Sequence, residues 1–234
     1  MDSIFQETVA LFGDSLGKGV IWNEQRARYG YCGVSAAGVA AEKLGITVLN
    51  KSKFGITAPQ GLEIVEHALD SGLCCDAAVI ELGGNDCNFQ WKEISDAPDA
   101  VHEPATPPEE YERALFGIVQ RLKKSGVRPV LATQPPINAE RYFRFLVGDK
   151  LCAENILRWL GDVHQIYRFQ EMYSHIVEQV ARKTGTRLLD LRMRCLAQPR
   201  FTSEMLCADG LHMNDEGQGF VGEQIAELIH DDER

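Results

Sequence analysis

No stretch of 18 consecutive apolar residues occurs in the chain, so nothing in it reads as a membrane-spanning helix. It also lacks a basic run. Lysine and arginine number 24 against 34 acidic residues, and the formal net charge of −10 suits neither a nucleic-acid backbone nor an anionic membrane surface. Cysteine is present without a pattern. The seven residues (32, 74, 75, 87, 152, 195 and 207) are odd in number and contain no C-x-x-C spacing, which argues against a disulfide framework or a zinc site and for reduced thiols. Cys207 reads as a small packing residue. The opening "MDSIFQETVALFGDS" has neither the basic nor the apolar region of a secretory signal, so the expected location is the cytoplasm. Nine prolines and 21 glycines are too few for a fibrous or low-complexity chain.

What is present is 234 residues of ordinary globular composition, 44% hydrophobic and 25% charged. That is enough for a sizeable core, and residues 1–234 read as one domain. Five short apolar runs read as strands: "TVALFG" (8–13), "ITVLN" (46–50), "AAVIELGG" (77–84), "RPVLATQPP" (128–136) and "TRLLDL" (186–191). Near-continuous apolar runs of this kind suit parallel strands buried on both faces. Helical patterns fall between them at 36–45, 58–72, 107–126, 167–185 and 214–232. The pattern at 107–126 opens on prolines and glutamates and closes on lysines and glycine, which matches the chemistry of helix ends. Strands alternating with helices predict an α/β fold with a mainly parallel five-stranded sheet. Two segments interrupt the alternation as cap-like insertions, 87–108 and 135–166. The second carries Tyr142, Phe143, Phe145 and Trp159 and is expected to be partly helical, serving either as a substrate cap or as packing against the fold or a second subunit. Its mixed charge (Arg141, Arg144, Asp149, Lys150) speaks against a long apolar groove.

The first strand ends on Asp14 and Ser15, with Gly13, Gly17 and Gly19 around them. A serine there can present its oxygen into the crevice at the carboxyl edge of the sheet, and small neighbours leave room for close approach. Asp14 reads as the residue that holds the turn. "GDSLGKG" is not a phosphate loop, since that motif needs four residues between its glycines and a hydroxyl after the lysine. A nucleophilic serine needs a base. Of six histidines, His67, His164, His175 and His230 sit in or beside helical patterns and His102 in the first insertion. His212 lies in "CADGLHMND", between the last strand and the last helix, with Asp209 three residues before it. That offset can set a carboxylate against the imidazole and fix its tautomer. An oxyanion would need donors, and the loops after the second and third strands supply Gly55 and Asn85, alongside the Ser15 N–H. Asp86 reads as a turn organiser.

"GDSL" (13–16), "N-x-x-x-x-G-x-T" (50–57), "GGND" (83–86) and "D-x-x-H" (209–212), in that order, resemble the four sequence blocks of the SGNH or GDSL hydrolases. Ser52 departs from the glycine or alanine common in the second block. The resemblance implies a flavodoxin-like, three-layer α/β/α fold and a serine hydrolase that uses no metal or other cofactor. It implies Ser15 as nucleophile, His212 as base, Asp209 as its orienter, and Ser15, Gly55 and Asn85 as oxyanion donors. The expected partner is a small-molecule acyl ester, with neither nucleic acid nor membrane; assembly with further copies of the chain is left open. Deacetylation of acetylated saccharides is the first expectation. Acyl-thioester or lysophospholipid cleavage and non-catalytic binding of an acylated ligand are the alternatives.

Overall fold

The structure is a computed structural model that describes residues 7–231, without the side chains of His230 and Asp231. The expectations about the first six residues and about the His230 side chain lie outside that portion. Strands β1 (Thr8–Gly13), β4 (Thr47–Asn50), β5 (Ala77–Glu81), β6 (Arg128–Ala132) and β7 (Arg187–Leu189) form the expected sheet, every pairing parallel, in the order β4-β1-β5-β6-β7. Counted along the chain, that order is 2-1-3-4-5, the flavodoxin arrangement. The strands between β1 and β4, β2 (Val20–Asn23) and β3 (Arg28–Tyr31), form a separate antiparallel hairpin that the sequence reading did not anticipate.

Alternation along the strands sorts the core into two layers. Ala10 and Phe12 of β1, Ala78 and Ile80 of β5 and Leu131 of β6 meet helices α3 (Ala58–Asp70), α5 (Pro108–Lys124) and α8 (Gln165–Thr184) on one face. Val79, Val130, Ala132 and Leu189 meet α2 (Ala36–Leu44), α9 (Leu191–Leu196) and α11 (Asp215–Asp231) on the other. The result is the three-layer α/β/α fold. Helix α5 follows its end chemistry, with Glu109 and Glu110 in its first turn and Arg121, Lys123 and Lys124 in its last. Among the described residues no helix is long and apolar enough to cross a membrane.

The two insertions pack on each other. Helix α4 (Trp91–Asp96) from the first lies against α7 (Ala153–Leu160) from the second, and α6 (Ala139–Val147) completes a third apolar cluster. Ser95 and its carbonyl tie the pair, accepting from the Cys152 N–H and the Asn155 amide at 2.7 Å each. The buried aromatics Phe89 and Trp91 meet Trp159 there, at centroid separations of 5.0 and 6.4 Å.

Tyr111 of α5 is fully buried, and its hydroxyl donates to the Leu82 carbonyl at 2.7 Å, at the root of the loop that carries Asn85. Tyr111→Phe should cost about 1–3 kcal/mol, because the buried carbonyl loses its donor. Denaturant unfolding of the two proteins measures this, and equal midpoints would contradict the assignment.

Candidate active site

The residues of interest come from loops at the carboxyl edge of the sheet, where β1 and β5 lie side by side and the strand order reverses. Open α/β sheets form a crevice at such a switch point. After Gly13 the chain turns into a single helical turn, α1 (Ser15–Lys18). Asp14 caps it, accepting the Leu16 N–H on Oδ1 at 2.9 Å, and its own N–H bonds the Glu81 carbonyl of β5 at 3.2 Å. Ser15 is thereby held at the helix start, buried to 8% exposure. Gly17 also makes room inside the fold. A β-carbon at Gly17 would lie 2.9 Å from Ser52 Oγ and 3.2 Å from Glu81 Oε2. Ser52 and Glu81 take that room from inside the fold.

His212 reaches the same point from the segment between β7 and α11. Its Nδ1 lies 2.6 Å from Asp209 Oδ2 and its Nε2 lies 2.9 Å from Ser15 Oγ. Asp209 Oδ1 also accepts the Leu211 and His212 N–H groups at 3.0 Å each, so the carboxylate holds both the backbone and the ring. With the Nδ1 hydrogen given to Asp209, Nε2 is left to accept from the serine hydroxyl. Asp209 and His212 are almost fully buried. Gly210, between them, has φ +71°, and a side chain there would run into the Tyr142 nitrogen at 2.6 Å. The turn accordingly needs glycine both for its left-handed backbone and for its close fit under α6.

Asn85 shares the cavity wall with Ser15. Its Nδ2 donates to the Ile56 carbonyl at 3.0 Å and to Asp14 Oδ2 at 3.2 Å. The first bond ties down the loop that carries Gly55, which is exposed and has φ +76°. The second makes Asp14 more than a turn residue, because it aims the Asn85 amide. Both amide hydrogens thus have acceptors in this state, and an oxyanion would take or share the longer bond, the one to Asp14. Asp86 accepts the Ala58 N–H at 2.8 Å and caps α3, as a turn organiser would. Cys207 is buried with its Sγ 3.5 Å from the Met213 carbonyl, a packing position.

A cavity of about 50 Å³ lies beside Ser15. Asn88, Trp91, Ile137, Tyr142, Ile166 and Leu211 line it, so both insertions supply its wall. Arg141, counted above among charges set against an apolar groove, turns away from it. Its guanidinium donates to the Leu206, Cys207 and Ser203 carbonyls at 3.1, 3.2 and 2.8 Å, on the segment that leads to Asp209.

Several residues escaped the sequence reading. Tyr29 of the hairpin packs on His212 with ring centroids 5.1 Å apart, and Phe54 lies 5.5 Å from Tyr29. The signal was there in the alternation of "VIWN" and "RYGY", but the intervening "EQRA" carries no Asn-Gly or Asp-Gly turn. Glu81 sat in plain sight as the one charged residue of an apolar strand. It is 6% exposed and accepts the Gly17 N–H on Oε2 at 3.1 Å.

A family model for the GDSL-like lipase/acylhydrolase family matches residues 11–220. The chain belongs to that family. With membership comes the class of enzyme, a hydrolase of ester bonds. The fold is shared with a lipase/acylhydrolase from Enterococcus faecalis, at a TM-score of 0.67 and 18% identity over 97% of each chain. It is shared also with the psychrotrophic esterase EstA from Pseudoalteromonas sp., at 0.62 and 16% over 97% of this chain and 98% of that one. A catalytic mutant of Axe2, an acetylxylan esterase from Geobacillus stearothermophilus, matches at 0.61 and 19% over 95% and 94%. No match was found among curated proteins.

The buried acids of this GDSL-family site carry a pH signature. Burial raises Asp14 to about 6 against the opposing pull of the Leu16 N–H and His212, and burial likewise raises Asp86 to about 6. Burial first, and the neighbouring Asp14 second, hold Glu81 well above the usual carboxylate range. Each acid binds its proton more tightly folded than unfolded. The folded state therefore carries extra protons between the ordinary and the raised values, and stability from these groups is lost as pH rises through that window. Glu81→Gln, neutral throughout, should gain on the wild type as pH climbs from 4.5, the ordinary glutamate value, to about 7. Denaturant midpoints at the two pH values decide it: a difference that does not change with pH contradicts the assignment.

Proposed function

We propose that this GDSL-family hydrolase cleaves short-chain carboxylic esters with Ser15 as nucleophile, and that acetylated saccharides are its substrates. The observation that carries the reading is the unbroken contact from Asp209 through His212 to Ser15, at 2.6 and 2.9 Å. His212 Nε2 takes the hydroxyl proton as Ser15 Oγ attacks the acyl carbon. Asp209 holds the ring and stabilises the imidazolium that results. The carbonyl oxygen becomes an oxyanion, received by the Ser15 and Gly55 amides and by Asn85. Collapse of the tetrahedral adduct expels the alcohol, which takes the proton from His212. A water activated by the same imidazole then releases the acid and restores Ser15.

The cavity supports a short acyl group. At about 50 Å³, walled by Trp91, Tyr142, Ile137 and Leu211, it suits a group of acetyl size. The buried dyad and the oriented carboxylate also favour catalysis over simple binding, since a binding module has no use for an imidazole set to receive a serine proton.

Ser15→Ala should lose ester cleavage by a factor of about a thousand or more, as expected when a nucleophile is removed. Mass spectrometry after treatment with an organophosphonate should place the adduct on Ser15. A variant that retains wild-type turnover, or an adduct elsewhere, rejects the scheme. Among p-nitrophenyl esters, kcat/KM should fall from acetate through butyrate to octanoate, by about tenfold or more overall, because each added methylene outgrows the small cavity beside Ser15. A rise toward octanoate would reject the short-chain reading and leave the serine mechanism standing.

A further inference from the structure

In the proposed reaction the departing alcohol must collect its proton from His212 Nε2, so whatever surrounds the imidazole flanks the alcohol. The acyl side is accounted for by the cavity next to Ser15. The imidazole side carries an aromatic wall that the mechanism does not use. Tyr29 stands 5.1 Å from the His212 ring, and Phe54 lies parallel to that ring, at 8° and 6.4 Å. Tyr29 also meets Trp22 at 5.0 Å, and Trp22 meets Phe145 of α6 at 4.8 Å. Three separate parts of the chain thus contribute: the hairpin, the loop after β4 and the second insertion.

The wall faces outward. Tyr29 is 39% exposed and Phe54 54%, although Tyr29 packs on the buried His212 and Phe54 on Tyr29. The Tyr29 hydroxyl lies beside Asp209, which together with burial holds the phenol above its ordinary range. Exposed aromatic surface continuous with a reactive centre marks a ligand-binding face. Its flat faces suit a ring with an apolar face of its own.

We infer that Tyr29 and Phe54 form a leaving-group subsite that receives a six-membered ring alcohol face-on, with a pyranose as the natural case. The inference rests on the ester-hydrolase reading and adds to it the residues that would receive the saccharide alcohol. Three acetates test it: a mono-O-acetylated methyl pyranoside, phenyl acetate and ethyl acetate. Wild type, Phe54→Ala and Phe54→Tyr are compared on each ester, so that the intrinsic reactivity of each leaving group cancels. In Phe54→Ala the ratio of kcat/KM for the pyranoside to that for ethyl acetate should fall about five- to tenfold, mainly through KM, as expected for one lost aromatic face. Phe54→Tyr keeps the face and should restore the ratio. Phe54 is more than half exposed, so its removal leaves the core intact.

A ratio that ignores Phe54 while wild type still cleaves ethyl acetate overturns the subsite and spares the hydrolase reading. If only the phenyl acetate ratio falls, the ring-face contact stands and the saccharide assignment is overturned. If wild type cleaves none of the three, both readings fall together.

Discussion

One hydrogen bond, 2.9 Å long, joins side chains 197 positions apart, and the rest of the site is arranged so that it can form. Ser15 is placed by the end of β1, and His212 by a segment that begins only after β7, at the far edge of the sheet. Neither end has freedom to search for the other. The serine is fixed by the Asp14 cap and by the β5 contacts of its turn; Asp209 fixes the imidazole through one bond to its Nδ1 and fixes the turn that carries it through two bonds from the Leu211 and His212 N–H groups. The parallel sheet makes the meeting inevitable. Each crossover returns the chain so that every strand delivers its carboxyl end to the same rim.

Holding that rim rigid has an electrostatic cost. Asp14, Glu81 and Asp86 are all nearly or fully buried, and none has a lysine or arginine as an ion-pair partner among the described residues. Instead they accept backbone N–H groups: Leu16 for Asp14, Gly17 for Glu81, Ala58 for Asp86. These bonds organise the turns that carry Ser15 and Asn85 and the start of α3. They do not fully offset the desolvation of a carboxylate, which is why all three acids hold their protons above the ordinary range. Precision at the site is thus obtained with groups that a core built only for stability would exclude.

The insertions enter the same mechanical unit. Asn138, at the start of α6, donates its N–H to the Gly210 carbonyl at 2.9 Å and its side-chain amide to the Thr202 carbonyl at 3.2 Å. Arg141 adds its three carbonyl contacts one turn later. The segment that walls the cavity therefore also braces the loop that presents Asp209 and His212, so cavity shape and imidazole position are coupled through α6.

Much of this was legible in the residues. The five apolar runs, the helix-end chemistry of α5 and the punctuation by glycine gave the α/β alternation, because each is a local property with a local cause. Ser15, Asn85, Asp209 and His212 stood out because reactive side chains followed strand ends. The hairpin did not, since its turn lacks the usual residues and its aromatic alternation spans only four positions per strand. Glu81 and Arg141 were visible as residues, but their partners lie 62 and more positions away, and spacing carries no information about such contacts. The sequence by itself determined which elements form and which side chains stand at their ends, since backbone preference and side-chain periodicity act over a few residues. Only the tertiary structure decided that Gly13 and Gly17 make room for Ser52 and Glu81, that Asn85 leans on Asp14, and that Tyr29 and Phe54 gather at His212. Those are contacts across the packed interior, and their energies exist only once the layers have closed.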